Sequence, residues 1–218
     1  MSVFDEFRHI AVEGPIGVGK TSLARRLARR LGARLVLEPA DDNPFLEKFY
    51  ADRTRYALAT QLSFLASRYH QQIDLRQQDL FAPLAVSDYI FARDRIFAGL
   101  TLGDDELELY EQFYRLMAGR AATPDLVVLL LADVHTLLRR IARRGIPYES
   151  ALDRDYIERL SAAYGEYFRL YDEAPLLVVD TSSIDYRTET VELEGLLREM
   201  EQTRSGQRVY VAQGEASR

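Results

Sequence analysis

The sequence predicts an α/β fold, a five-stranded parallel sheet with helices on both faces. Three observations lead there. Short β-branched runs alternate with longer helical patterns along the chain, the order that builds parallel sheets. The runs are almost continuously apolar, as strands buried on both faces must be. The first run ends in a glycine-rich turn that opens an amphipathic helix.

Taken in order, strands are expected at about 8–13, 34–38, 83–88, 125–131 and 176–180. Helices are expected at about 19–32, 43–49, 53–76, 91–98, 104–120, 134–144, 153–172 and 188–202. Pro39 stops the second strand. Leu58, Leu62, Leu65 and Tyr69 lay an apolar stripe along the 53–76 helix. Asp133 is placed to cap the 134–144 helix, which Gly145 and Pro147 then end. The 104–120 helix is apolar over a wide face: Leu107, Leu109, Tyr110, Phe113, Tyr114, Leu116 and Met117. Such breadth suits either a second copy of the chain or the chain's own core. Residues 203–218 lose periodicity and read as a loose tail behind a single domain spanning 1–202, with no internal repeat and no linker.

Composition narrows the function. The chain has 218 residues, 47% hydrophobic and 28% charged, enough for a core and too apolar for bulk disorder. A net charge of −6 argues against coating a nucleic-acid polymer. The absence of cysteine excludes disulfides, thiolate metal sites and cysteine nucleophiles. No uncharged apolar run approaches the roughly 20 residues of a membrane span, and MSVFDEFRHI lacks a leader pattern, so a soluble cytoplasmic protein is expected. His9, His70 and His135 show no metal or nucleophile spacing and read as structural.

Residues Gly14, Pro15, Ile16, Gly17, Val18, Gly19, Lys20 and Thr21 spell G-x-x-x-x-G-K-[ST], between a strand and a helix. Backbone N–H groups of such a loop cradle phosphates, the lysine reaches the β- and γ-phosphates of ATP, and the threonine hydroxyl ligates Mg²⁺. Lys20 is one of only two lysines against 26 arginines. The fold class is therefore a three-layer P-loop NTPase-type fold. No Asn-Lys-x-Asp guanine reader is present, and the chain is short for a large ATPase. What remains is a small phosphotransferase.

In open α/β sheets, ligands sit outside the carboxyl ends of the strands. Glu38 ends the second strand and Asp88 the third. Phosphoryl transfer to a hydroxyl needs a base near the acceptor and carboxylates near the cation. Glu38 suits the first role and Asp88 the second; the alternative for each is a solvated acid or a cap. Gln61 and Arg68, seven residues apart, share one helix face at about 10 Å. They read either as a surface pair or as groups for a base edge and a carboxylate. Arg139, Arg140, Arg143 and Arg144 crowd one helix end. They are either a solvated face or a lid, at about 139–150, that closes arginines over a triphosphate.

With these motifs in order, the chain resembles the deoxynucleoside kinase family over about residues 8–200. The resemblance rests on IAVEGPIGVGKT, LEP, FYADRTRYALATQLSFLASR, SDYIFARDRIF, RRIARRGIPYE and DYIERL. It implies ATP-dependent phosphorylation of a deoxynucleoside 5′-hydroxyl, in nucleotide salvage, by a homodimer. It implies Glu38 as general base and Gln61 as the glutamine that bonds the base. Arg68 and Asp94 match a pair that recognises an exocyclic amino group, Asp94 accepting, which favours deoxyadenosine and deoxycytidine, with deoxyguanosine admitted in a shifted pose. Tyr50 and Glu149 match holders of the 3′-hydroxyl, Asp88 the acid near Mg²⁺, and Arg140 and Arg144 the lid arginines. Phe97 matches the aromatic that stacks on the base if a one-residue gap is allowed.

One departure is plain. The family often reads acid-Arg-Ser at the third strand end, and here stand Asp88, Tyr89 and Ile90. The arginine beside the general base is missing from its usual place. The alternatives are a thymidylate kinase, which would need a site for the acceptor's own phosphate, and a non-catalytic subunit of the same fold.

Overall fold

The structure is a computed structural model that describes residues 3–76, 84–184 and 193–211. Strand β1 (His9–Glu13) is followed by helix α1 (Lys20–Leu31) and strand β2 (Arg34–Val36). Helices α2 (Leu46–Ala51) and α3 (Arg53–Arg76) precede strand β3 (Ala85–Ser87). Helices α4 (Arg93–Thr101) and α5 (Asp104–Ala118) lead to strand β4 (Leu126–Leu131). Helices α6 (Val134–Arg144) and α7 (Arg154–Arg169) lead to strand β5 (Leu176–Asp180). Helix α8 (Leu193–Gln202) and strand β6 (Gln207–Val211) complete the described chain.

All six strands run parallel in the order β2-β3-β1-β4-β5-β6. The expected sheet had five. The sixth strand lies within the segment expected to be a loose tail, pairing Leu176 with Gln207 through to Asp180 with Val211. The reason it escapes notice is physical: β6 is an edge strand, with Val209 and Val211 exposed, so it lacks the apolar run of a strand covered on both faces. The expected stretch 212–218, like parts of the 83–88 strand and the 188–202 helix, lies outside the described residues.

Strand β1 is buried at all five positions and β4 at five of six. Their side chains meet Leu23 and Leu27 of α1, Leu137 and Ile141 of α6, and Ile157, Leu160 and Tyr164 of α7 in one core. The expected cap is present: Asp133 accepts the Thr136 N–H at 2.8 Å. His9 is buried, and its Nε2 pairs with Ser87 Oγ at 2.8 Å across β1 and β3, a structural role. No helix among the described residues is long and apolar enough to cross a membrane.

The topology sets the site. The chain leaves β1 toward β2 and β3 on one side and continues from β4 to β5 and β6 on the other. A crevice opens where the direction changes, beyond the strand carboxyl ends. The glycine-rich turn, Glu38 and Asp88 all stand on that edge.

Candidate active site

The phosphate loop connects β1 to α1. Gly14 has φ +143°, and a Cβ there would lie 2.2 Å from the Leu130 carbonyl oxygen, so the loop can press against β4 only with glycine. Gly17, at φ +84°, would collide with Ile141 and the Leu137 carbonyl of α6. Lys20 Nζ donates to the carbonyls of Gly14 and Pro15 at 2.7 and 3.0 Å and lies across the loop. Burial and the nearby Arg93 guanidinium pull its ammonium down to about 7. A bound phosphate would oppose that and keep it charged.

Asp88 ties two parts of the edge together. Its Oδ2 accepts the Thr21 hydroxyl at 2.5 Å, and its Oδ1 accepts the Glu38 backbone N–H at 2.8 Å. Two hard oxygen donors therefore converge beside the loop, a donor set suited to Mg²⁺. No cluster of three or more His, Cys, Asp or Glu suited to a metal occurs among the described residues. An ion here would take its remaining ligands from phosphate and water.

Glu38 sits between two arginines. Arg68 Nη2 donates to its Oε1, and Arg93 Nη1 lies 3.1 Å from its Oε2. Burial alone would raise the carboxyl, but the charges of Arg68, Arg93 and Lys20 outweigh burial and hold it below the usual carboxylate range. The arginine absent after Asp88 is thus supplied from α4. Arg93 stands five residues along the chain from Asp88, and its guanidinium lies 5.3 Å from the Phe97 ring. Tyr89, in the usual arginine position, is buried and lies under Arg68, with ring centroid and guanidinium 5.9 Å apart. The Arg93 side chain was hidden from the motif reading because the family pattern looks for arginine beside the acid, not one helical turn later.

The cavity over this edge is lined by Lys20, Thr21, Glu38, Tyr50, Gln61, Arg68, Asp88, Phe97, Arg144 and Glu149 among the residues the sequence singles out. Phe64, Arg93 and Tyr148 join them unforeseen. Tyr148 stacks on Tyr50 with centroids 5.2 Å apart. Glu149 receives both Nε and Nη2 of Arg144, so the expected 3′-hydroxyl group and one lid arginine form a pair. Gln61 Nε2 donates to Thr101 Oγ1 at 3.2 Å, which leaves its Oε1 buried and without a partner.

Two expected residues are placed differently. Asp94 does not line the cavity. It is fully buried behind Arg68, with Oδ1 taken by Arg68 Nη1 and Oδ2 by the Tyr110 hydroxyl at 3.1 Å. Arg140 does not reach the cavity either. It donates to the carbonyls of Val18, Thr181 and Ile184 and to Thr181 Oγ1, clamping the phosphate loop to the turn after β5. Carbonyl oxygens gathered at a loop crossing outcompete an open crevice for its donors.

Comparison with known proteins agrees with this edge. The family model described as "Deoxynucleoside kinase" matches residues 10–204. Deoxyguanosine kinase of Bacillus subtilis is 35% identical over 81% of this chain and 88% of its own length. Deoxyadenosine/deoxycytidine kinase of the same organism is 29% identical over 86% of this chain and 89% of its own. The structure of deoxyadenosine kinase from M. mycoides with products dCMP and a flexible dCDP bound superposes with TM-score 0.76 at 25% identity. It covers 89% of this chain and 98% of that one. The fold, the phosphate loop, the carboxylate between two arginines and the family match converge: the chain belongs to the deoxynucleoside kinase family and is an ATP-dependent phosphotransferase.

Proposed function

We propose that the enzyme transfers the γ-phosphoryl group of ATP to the 5′-hydroxyl of a deoxynucleoside, with Glu38 as the base and deoxyguanosine as the preferred acceptor. The observation behind the base assignment is the isolation of Glu38. It is the one cavity carboxylate seated between two arginines, while Asp88 is turned to Thr21 and Glu149 to Arg144. Glu38 takes the hydroxyl proton as the oxygen attacks. Phosphate-loop N–H groups and Lys20 hold the donor's phosphates, and Arg144 reaches the cavity from the lid. Thr21 and Asp88 would hold Mg²⁺, which would supply positive charge to offset that of the donor's phosphates.

The acceptor's base follows from Arg68. The expectation of deoxyadenosine and deoxycytidine rests on Asp94 as the acceptor of an exocyclic amino group. Both Asp94 oxygens are engaged behind Arg68, while Arg68 and Gln61 line the cavity, Gln61 with a buried Oε1 that has no partner. Guanine offers O6 and N7 acceptors on one edge, a match for arginine, and an N1–H for the amide oxygen. Thymine offers one acceptor and a methyl there.

Incubation of the enzyme with Mg-ATP and each deoxynucleoside separately tests both readings. Deoxyguanosine is expected to show the highest kcat/KM, thymidine the lowest, and Lys20→Ala to remove turnover. A higher kcat/KM for deoxyadenosine or deoxycytidine would return the base contact to Asp94. Consumption of monophosphates instead of nucleosides would overturn the reading altogether.

A homodimer completes the proposal. Leu109, Phe113 and Leu116 of α5 are exposed, Leu116 by 78%, and Leu170 beyond α7 is exposed too. Light scattering is expected to give twice the 25.0 kDa chain mass, and Leu116→Arg to shift the enzyme toward monomer. A kinase that draws on ATP belongs where ATP is regenerated, and we assign it to the cytoplasm.

A further inference from the structure

Glu13 has no part in the transfer described so far. It closes β1, directly before the phosphate loop, and is 0% exposed. Placing a carboxyl there is expensive unless it is paired. Its partners are few. The Tyr164 hydroxyl of α7 donates to Oε1 at 3.2 Å, and Arg93 Nε stands 3.8 Å from the same oxygen. Oε2 has no hydrogen-bond partner, and neither does Arg93 Nε. A merely structural acid would be better satisfied, or replaced by an apolar side chain.

The surrounding geometry gives Glu13 a use. Asp94, Arg68, Glu38, Arg93 and Glu13 form a line of alternating charge, each member paired with the next. Each arginine holding the base thus has its own carboxylate behind it. Resting on the assignment of Glu38 as base, we propose that Glu13, steadied by Tyr164, is a positioning residue that acts through Arg93 on Glu38. It holds the guanidinium against the base and shares its charge, which keeps Glu38 basic enough to take the hydroxyl proton. Without a negative charge behind it, Arg93 would spend its whole field on Glu38 and make it a weaker base.

Burial pushes the Glu13 carboxyl up to about 7 against the pull of Arg93. The charged groups facing it are Arg93 from α4, Lys20 from α1, Glu38 after β2 and Arg68 from α3, with the Tyr164 hydroxyl from α7. The acid is neutral below that pH and charged above it, so the support for Glu38 grows as pH rises. Folding stability moves the opposite way. A raised carboxyl stabilises the fold below its ordinary value and loses that contribution as pH rises through 7.

The test is the pH profile of kcat at saturating Mg-ATP and nucleoside, where phosphate oxygens keep Lys20 charged. Wild type is expected to show an inflection near 7. Glu13→Gln, which keeps shape and the Tyr164 contact, is expected to lose that inflection. It should also lower kcat at pH 8 by about tenfold, with nucleoside KM changed by less than about threefold. Glu13→Asp should restore part of both. Tyr164→Phe removes only a donor to the charged form and should move the inflection upward, which gives a reading even if Glu13→Gln fails to fold. Profiles of Glu13→Gln or, should that not fold, Tyr164→Phe that superimpose on wild type would overturn the proposal. Absence of nucleoside turnover in wild type would instead overturn the underlying kinase reading, so the two failures are distinct.

Discussion

Glu38→Gln is expected to lower kcat by about 10²–10⁴-fold, the range that one positioned general base supplies. The carboxylate is held ready by its surroundings. Burial works against the ionised form, and Arg68, Arg93 and Lys20 more than offset it. A depressed carboxyl contributes stability above its ordinary value and loses it as pH falls through the lowered one. Glu38 is therefore ionised across the whole neutral range, and its own protonation limits the rate only in acid. The amide removes the base and leaves two guanidinium groups facing a neutral partner, so some stability is lost as well. Glu38→Asp separates these effects, because it keeps the charge and withdraws it by one methylene. Steady-state kinetics at pH 7.5, with circular dichroism to confirm the fold, decide the matter. A glutamine variant within about tenfold of wild type would exclude Glu38 as the base, since even a weak general base contributes more.

The sequence exposed the elements whose physics is local. A phosphate loop needs its glycines, lysine and threonine in one run, so residues 14–21 could be read directly. Central strands are apolar on both faces, and all four of β1, β3, β4 and β5 were visible. Edge strand β2 was visible too, but edge strand β6 was not, because four of its five residues are exposed and QRVYV carries too little apolar signal. The site divided along the same line. Glu38, Asp88, Gln61 and Arg68 lie on strand ends or on a helix face and were found there. Arg93 was missed because pairing with Glu38 depends on where α4 docks, not on any spacing. Glu13 reads only as the end of an apolar run, although it is a charged residue in a strand buried at every position. Asp94 and Arg140 were found, but which way each faces depends on competing partners: Tyr110 in one case, three carbonyls in the other.

Arg68→Ala is expected to be the most damaging substitution for the fold as well as for the base. The guanidinium is the shared partner of Glu38 and Asp94, with the rings of Phe64 and Tyr89 5.2 and 5.9 Å away. Removing it strands Asp94 at 0% exposure with only the Tyr110 hydroxyl. Breaking a buried pair from one side costs about 3–5 kcal/mol. For a chain of this size, that lowers Tm by about 6–20 °C. The second change Asp94→Asn removes the stranded charge and keeps a group that can accept from Tyr110. The double variant is therefore expected to regain most of the lost stability, as measured by thermal and urea unfolding. It should not regain selectivity: without Arg68 the wall loses the guanidinium proposed to hold O6 and N7 of guanine, and the kcat/KM advantage of deoxyguanosine should disappear. A double variant as unstable as Arg68→Ala would mean that the cost comes from the emptied space between Phe64 and Tyr89 and not from the uncompensated carboxylate. If the advantage of deoxyguanosine persisted, another group would have to read the base, and Gln61, with its unpartnered amide oxygen, is the residue in the wall placed to do so.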